Sequence, residues 1–354
     1  MLAYVRLGLK AFQEDILSIP VRALLFLAAV LLVLFPLMNR DPYLLSLLTY
    51  TAIFAIFAAS WDMLAGFTGV VSLAHGVLFG ISAYTAALLN LRLGMPPYVT
   101  IPIGAIVAVL TGLIVAIPSL RVKGMYFTLC SIAMPFIFRG IVFSFPDFTG
   151  GELGMSGIDS LGGSKLITFY IVLAVMILSG LIMWKLTDSR SEMVRLGIFL
   201  QAVRADEIAA RASGVNTVKQ KLIAFAVSGF FAGVAGGLYA HAIHVAGPST
   251  LELMFAFNPL IWTIFGGIAT IGGPIVGTFI LYPVIEFLRV IPELRTLIFA
   301  CLIIAILYFM PEGITHWFRD KAEEICPRCK LVNITFRRRC RACDALLHLE
   351  RKNK

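Results

Sequence analysis

Residues 43–65 read YLLSLLTYTAIFAIFAASWDMLA, a stretch whose single charged side chain is Asp62. As a helix rising 1.5 Å per residue it is about 35 Å long, enough to cross the roughly 30 Å hydrocarbon core of a bilayer. The pattern recurs at 22–38, 70–91, 98–118, 124–145 and 166–187. A polar stretch follows at 188–218, then further apolar runs at 219–244, 257–290 and 294–310. Of the 354 residues, 59% are hydrophobic and only 14% charged, with a mean hydropathy of +0.92. A soluble domain carries about 25% charged residues to cover its surface. The sequence therefore predicts an all-α, polytopic transmembrane bundle of about 8–10 spans whose surface faces lipid.

The basic residues orient it. Segment 188–221 carries Arg190, Arg195, Arg204, Arg211, Lys219 and Lys221, the 119–123 connection Arg121 and Lys123, and residues 1–22 Arg6, Lys10 and Arg22. With eleven in 319–354, these make 22 of the 29 lysines and arginines. Cytoplasmic loops carry such an excess, so all four segments are expected inside and the 146–165 loop outside. The net charge of +9 is concentrated in the tail, at +6, and does not indicate a nucleic-acid partner. Residues 1–20 are expected to be cytoplasmic or interfacial, 21–318 to form the membrane domain and 319–354 a cytoplasmic tail. The run beginning near Val21 is followed by more spans, so it reads as a retained anchor rather than a cleaved signal.

Parity constrains the second half. An even number of crossings must separate 188–221 from the tail, and three simple helices would break the rule. The run 257–290 is about 51 Å long if helical, and Gly266, Gly267, Gly272, Gly273, Pro274 and Gly277 interrupt its middle. It is expected to form two short spans or a re-entrant pair of half-helices. Irregular backbone at membrane depth is tolerated only against protein or a watery cavity, which puts 265–277 near a pathway. Two small-residue ridges, Ser72/Gly76/Gly80 and Gly229/Gly233/Gly237, mark helices packed inside a bundle. Asp62 and His75 are ionisable groups in or near spans, hence functional candidates; they can equally pair with each other or with backbone. Cys130 and Cys301 lie alone in apolar runs and read as packing residues.

In the polar stretch, Asp206 and Glu207 fall early in a short helix over 201–214, Arg211 late, and Gly214 just past its end. This order suits the helix dipole and a glycine C-cap. The segment QAVRADEIAARASGVNTVKQKLIAFAVSGFFAGVAGGLYAH (201–241) resembles the signature of ABC-importer permeases of the branched-chain amino-acid class, the LivM-like half. GFTGVVSLAHGVLFGISAYTAALL (66–89), FTGGELGMSGID (148–159) and FGGIATIGGPIVG (265–277) resemble its two glycine-rich motifs and its outward loop, in order, across roughly 45–310. The resemblance implies a permease subunit, not an enzyme, of the inner membrane. It would pair with a second, LivH-like permease, take its solute from a periplasmic binding protein and be driven by two ATP-binding subunits. The 188–218 loop would couple to those subunits through Arg204, Asp206, Glu207, Ala210 and Gly214. Asp62, Ser72, His75, Gly76, Gly267 and Gly273 would belong to the translocation pathway. Leucine, isoleucine or valine is the implied cargo, with urea or short amides as the sister class. Asp62 where relatives carry asparagine, and Ala74 in place of glycine, are departures that bear on the solute. Gly157-x-x-x-x-Gly162-Gly163-Ser164-Lys165 misses the P-loop pattern, so ATP would be hydrolysed by the partner subunits. A stand-alone channel or secondary transporter also uses broken helices, but it needs no docking loop.

The tail holds Cys326-Pro-Arg-Cys329 and, ten residues on, Cys340-Arg-Ala-Cys343. Paired C-x-x-C knuckles at this spacing predict a zinc-ribbon-like module in which four thiolates hold one Zn²⁺. A redox pair or an iron–sulfur centre is the alternative. Arg337, Arg338, Arg339 and Arg341 can offset the −2 charge of such a site. A reducing, cytoplasmic side suits free thiolates better than disulfides.

Overall fold

A computed structural model describes residues 41–119, 125–188 and 196–290, the short piece 32–36, and scattered positions from 300 to 343. The expected N-terminal segment, the 119–123 basic connection and most of the spans at 22–38 and 294–310 lie outside the described residues. Six described helices are long and apolar enough to cross a membrane: α1 Pro42–Thr68, α2 His75–Leu93, α3 Pro97–Ser119, α4 Met125–Ser144, α5 Lys165–Thr187 and, after the polar loop, α8 Thr217–Ile243. The loop carries α6 Leu196–Ala205 and α7 Glu207–Ala212. Two shorter apolar helices follow, α9 Leu253–Gly266 and α10 Gly272–Phe287. The chain is a polytopic helical membrane protein.

Local chemistry sets the helix ends. Asp41 caps α1 by accepting from the backbone N–H of Tyr43 at 2.9 Å, with Pro42 in the first turn, where its missing N–H costs nothing. Asn216 caps α8 by accepting from Lys219 N–H at 3.0 Å. Within spans, the buried Thr49, Thr51 and Thr68 donate their hydroxyls to the carbonyl four residues back, so each is satisfied within its own helix. Helices α1, α2 and α8 form the buried centre, and α3, α4 and α5 surround it. The outer helices turn large apolar side chains outward, including Ile114, Phe136 and Leu178. Cys130 and Cys301 are exposed too, so they lie on the apolar perimeter and not in the packed core.

Two boundaries differ from expectation. The span expected at 70–91 starts only at His75. Gly69, at φ 74°, closes α1 by donating its N–H to Ala65, and the chain then runs irregularly to 74. That piece is held by side chains: Trp61 Nε1 donates to Ser72 O at 2.7 Å and Leu73 N–H to Ser131 Oγ at 3.0 Å. The loop helix expected over 201–214 is two helices, because Asp206 leaves α6 in an extended conformation and caps α7. The run 257–290 does break, and its halves lie side by side.

Contacts across the molecule sort the segments onto two faces. Met155–Ser156 (β1) pairs antiparallel with Val245–Ala246 (β2), joining the 146–165 loop to the C-terminal end of α8. Asn90 reaches the same loop, donating to Asp159 Oδ2 at 2.8 Å. On the opposite face, Arg204 of α6 lies beside Gly69, and residues 313–316 meet the α9–α10 turn. Residues 313–317 therefore share a face with the basic loop, as the even-crossing argument requires. In a background lacking native cysteines, Leu153→Cys is expected to react with an impermeant reagent on intact cells and Ser213→Cys only after permeabilisation. Reaction of the second from outside would invert the map.

Candidate functional site

The centre of interest is the turn between α9 and α10. Gly266 packs so closely on Gly273 that a side chain on either would overlap the backbone of the other half. Between them Gly267 takes φ 120° and Ala269 φ 63°, a left-handed conformation uncommon for alanine. Asp62 of α1 holds this turn. Its Oδ1 accepts from Ala269 N–H at 2.8 Å. Asp62 is fully buried. Gly66, one helical turn on, leaves the room this requires: a Cβ there would overlap the Asp62 carboxylate and sit 2.7 Å from Ala269 N. Of the pairings open to Asp62, the structure uses backbone. From the loop side, the Arg204 charge acts on the same carboxylate.

The second group surrounds the irregular piece before α2. His75 is fully buried and its Nε2 lies 3.2 Å from Ser228 Oγ of α8. Ser72 Oγ accepts from Ala74 N–H at 3.3 Å. Gly76 abuts Ala256 of α9, and Gly80 abuts Leu251 and Thr250. The Gly229/Gly233/Gly237 ridge of α8 meets Leu78, Ala105 and Ile101 respectively. The α8 ridge thus serves close helix packing, as do Gly76 and Gly80 of α2, whereas Ser72 lies in the irregular piece before that helix. Asp62 with Gly267, and Gly273 with Gly266, gather at the turn; Ser72, His75 and Gly76 form a neighbouring cluster joined to it through Trp61.

In the loop, Asp206 Oδ1 accepts from Ile208 and Ala209 N–H at 2.8 and 3.0 Å. Glu207 turns back on the membrane domain. It takes Lys221 Nζ at 2.7 Å, the Thr217 hydroxyl at 3.2 Å and Arg211 at 3.2 Å. Partial burial acts to raise the Glu207 pKa, but Lys221, Thr217 and Arg211 outweigh it and hold the carboxyl below its ordinary value. Ala210 is buried, Ile208 is 81% exposed, and Gly214 turns the chain at φ 86°. Glu207 thus locks α7 onto the start of α8, while Ile208 and Arg211 face outward.

In the tail, Glu323–Ile325 (β3) and Val332–Ile334 (β4) pair antiparallel on either side of the first cysteine knuckle. The sulfurs of Cys326, Cys329, Cys340 and Cys343 lie within 4.8 Å of one another, with Cys326–Cys343 at 3.5 Å and Cys329–Cys340 at 3.4 Å. A tetrahedron of thiolates around a metal at 2.3 Å has edges of about 3.8 Å, so this cluster can hold a metal ion. Asn333 Nδ2 points at Cys340 Sγ at 3.5 Å. The Cys329 backbone N–H lowers the Cys326 thiol pKa; desolvation opposes it, and the Arg328 N–H and neighbouring thiols add to the lowering. Arg337, Arg338, Arg339 and Arg341 lie outside the described residues.

A family model described as "Branched-chain amino acid transport system / permease component" matches residues 43–307. The chain belongs to this permease family. It is similar to the Escherichia coli K12 high-affinity branched-chain amino acid permease LivM, at 26% identity over 80% of this chain and 71% of LivM. It is also similar to the Haemophilus influenzae ribose import permease RbsC, at 24% over 75% of this chain and 82% of RbsC. The E. coli galactose/methyl galactoside import permease MglC is 29% identical over 68% of this chain and 76% of MglC. No solved structure matches it. These relatives are permease subunits of transport systems. The permease match contains the Asp62 turn, the His75 cluster and the α6–α7 loop, and stops short of the four cysteines.

Several residues escaped the sequence reading. His241 Nε2 meets Thr100 Oγ1 at 2.7 Å and its Nδ1 meets Asp159 O at 2.7 Å, pinning the 146–165 loop to α8. A histidine in an apolar run was a legible signal. Thr315, whose hydroxyl donates to Gly266 O, and His316, 3.2 Å from Ile268 O, had none. Arg139 pairs with Glu252 at 3.6 Å and Glu286 with Arg289 at 3.1 Å.

Proposed function

We propose that the chain is the permease subunit of an ABC importer in the inner membrane, carrying a branched-chain amino acid handed over by a periplasmic binding protein. A second, LivH-like permease completes the pathway, and two ATP-binding subunits drive it from the cytoplasmic side, where the tail also lies. The observation that carries this reading is the family match across 43–307, which spans both the broken helix pair and the loop. In this scheme α6 and α7 are the contact for the ATPases: Ile208, Arg204 and Arg211 offer the outer surface, while Asp206, Glu207, Ala210 and Gly214 shape and anchor it. Asp62 positions the 267–271 turn, and Ser72, His75, Gly76, Gly267 and Gly273 support the path beside it.

Similarity to the ribose and galactose permeases favours a sugar as the second reading. The test is uptake by the reconstituted complex from a panel of leucine, isoleucine, valine, ribose, galactose and urea. Saturable leucine or valine uptake is expected; uptake of a sugar or urea with no branched-chain uptake would reassign the cargo.

The four tail cysteines are read as a zinc site, since tetrahedral thiolate sets suit Zn²⁺. Purified protein is expected to carry one zinc per chain, lost in Cys326→Ser with Cys340→Ser. Iron in its place, or no metal, would contradict the assignment.

A further inference from the structure

The α9–α10 turn is a recessed piece of backbone. At 14 and 16 residues, α9 and α10 are about 21 and 24 Å long, short of a hydrocarbon core of roughly 30 Å. The turn meets α1 at Asp62, about 10 Å along that helix before its cap at Gly69. A helix leaves its last carbonyls without intrahelical partners. Gly266 and Gly267 are buried, so their carbonyls need partners other than water. Side chains supply them. Thr270 Oγ1 donates to Gly267 O at 2.8 Å from within the turn. The other partners come from far along the chain: the Thr315 hydroxyl donates to Gly266 O, and His316 Nε2 lies 3.2 Å from Ile268 O. Residues 314–317 form one helical turn, closed by Trp317 N–H donating to Gly313 O at 3.1 Å. Gly313, at φ 86°, permits the approach, since a Cβ there would be 2.6 Å from both Gly267 N and Cα.

We propose that Thr315 and His316 are positioning residues for transport: with Asp62 they clamp the α9–α10 turn from two sides and fix the cytoplasmic end of the path beside it. Asp62 takes the Ala269 N–H from the α1 side, while residues 315 and 316 take the Gly266 and Ile268 carbonyls from the cytoplasmic side. Donor and acceptor groups of one short turn are thus held by two separate parts of the chain. The turn needs both, because it contains Ala269 at φ 63°, a conformation that persists only while its surroundings impose it. Loosening one clamp shifts the backbone groups that the other must meet, so the contributions of Asp62 and Thr315 are coupled and do not add. Thr315 carries more than His316. Its acceptor belongs to buried Gly266, whereas Ile268 is 37% exposed and within reach of water. The transport role rests on the importer function proposed above; the clamp itself does not.

The test uses the assembled complex in nanodiscs with two readouts: hydrogen–deuterium exchange of the amides in 267–271, and ATPase activity stimulated by loaded binding protein. Thr315→Val has nearly the same shape but no donor. It is expected to speed exchange at the turn and lower the stimulated maximal rate about fivefold, the scale of one lost hydrogen bond. The binding-protein concentration giving half that rate should stay the same. Thr315→Ser, which keeps the hydroxyl, should behave as the native chain, and His316→Ala should resemble Thr315→Val more weakly. In an Asp62→Leu background, Thr315→Val should lower the rate by no more than about twofold further, because the turn is already loose. Faster exchange with an unchanged rate, a lower rate with unchanged exchange, or independent effects of the Asp62 and Thr315 variants would overturn the positioning role. A native complex whose ATPase ignores loaded binding protein would overturn the importer function and the transport role with it, while the exchange readout would still judge the clamp.

Discussion

Asp62→Leu is expected to reduce import by more than tenfold while the protein still inserts. Leucine removes the acceptor for the Ala269 N–H at this partly buried turn. A buried donor left unpaired costs about 1–3 kcal/mol, and each 1.4 kcal/mol is roughly a tenfold change in the population of the held turn. The turn also contains Ala269 at φ 63°, which persists only while its surroundings impose it. Asp62→Asn keeps an acceptor oxygen and should retain most of the rate. Gly66→Val should match the leucine variant from the other direction, because its side chain would occupy the space of the carboxylate. Uptake per unit of membrane-inserted protein is the measurement. Normal uptake by Asp62→Leu would show that the turn needs no such support.

The second large effect is expected in the loop. Glu207→Arg combined with Ala210→Trp should abolish ATP-driven uptake while membrane insertion stays normal. The first change sets a third positive charge beside Lys221 and Arg211, where the native carboxylate ties α7 to α8 at 2.7 Å. The second forces a large ring into the position of a buried alanine, and overpacking costs about 1–3 kcal/mol. Both act outside the lipid, so the bundle is spared. The ion pair is partly exposed and solvent screens it, so Glu207→Gln alone should be mild, within about 1 kcal/mol. Its pH dependence has a definite sign. The carboxyl is held below its ordinary value of 4.5, so its contribution is complete above that value and is lost as pH falls through the lowered one. ATPase binding should therefore show no dependence on this group between about pH 6 and 8. If the double variant imports solute normally with stimulated ATPase intact, the loop is not the coupling element.

Much of the architecture was legible because bilayer physics narrows the choices. Apolar length marked α1, α3, α4, α5 and α8 to within a few residues, and parity with the glycine run called for a break between α9 and α10. The late start of α2 was hidden. Residues 70–74 are as apolar as a span, and only distant partners, Trp61 and Ser131, hold them out of a helix. In the loop, composition placed Asp206 and Glu207 early in one helix and Gly214 just past its end, but the separation of α6 from α7 depends on how Asp206 turns its carboxylate onto Ile208 and Ala209. Asp62 was suspect as a charge in a span, yet its partner lies 207 positions away, beyond any local pattern. Thr315 and His316 carried no signal at all, because their role is defined only by which backbone carbonyls they meet.

ATP-dependent accumulation of leucine in proteoliposomes separates a driven importer from a self-sufficient pore or carrier. The vesicles would contain this chain and its second permease, with and without the two ATP-binding subunits, and binding protein would be added outside. The account predicts accumulation against the gradient only when both ATPases and ATP are present, and none from the permease pair alone. Leucine equilibrating across the membrane through the pair without ATPases would mark a self-sufficient channel or carrier and contradict the account.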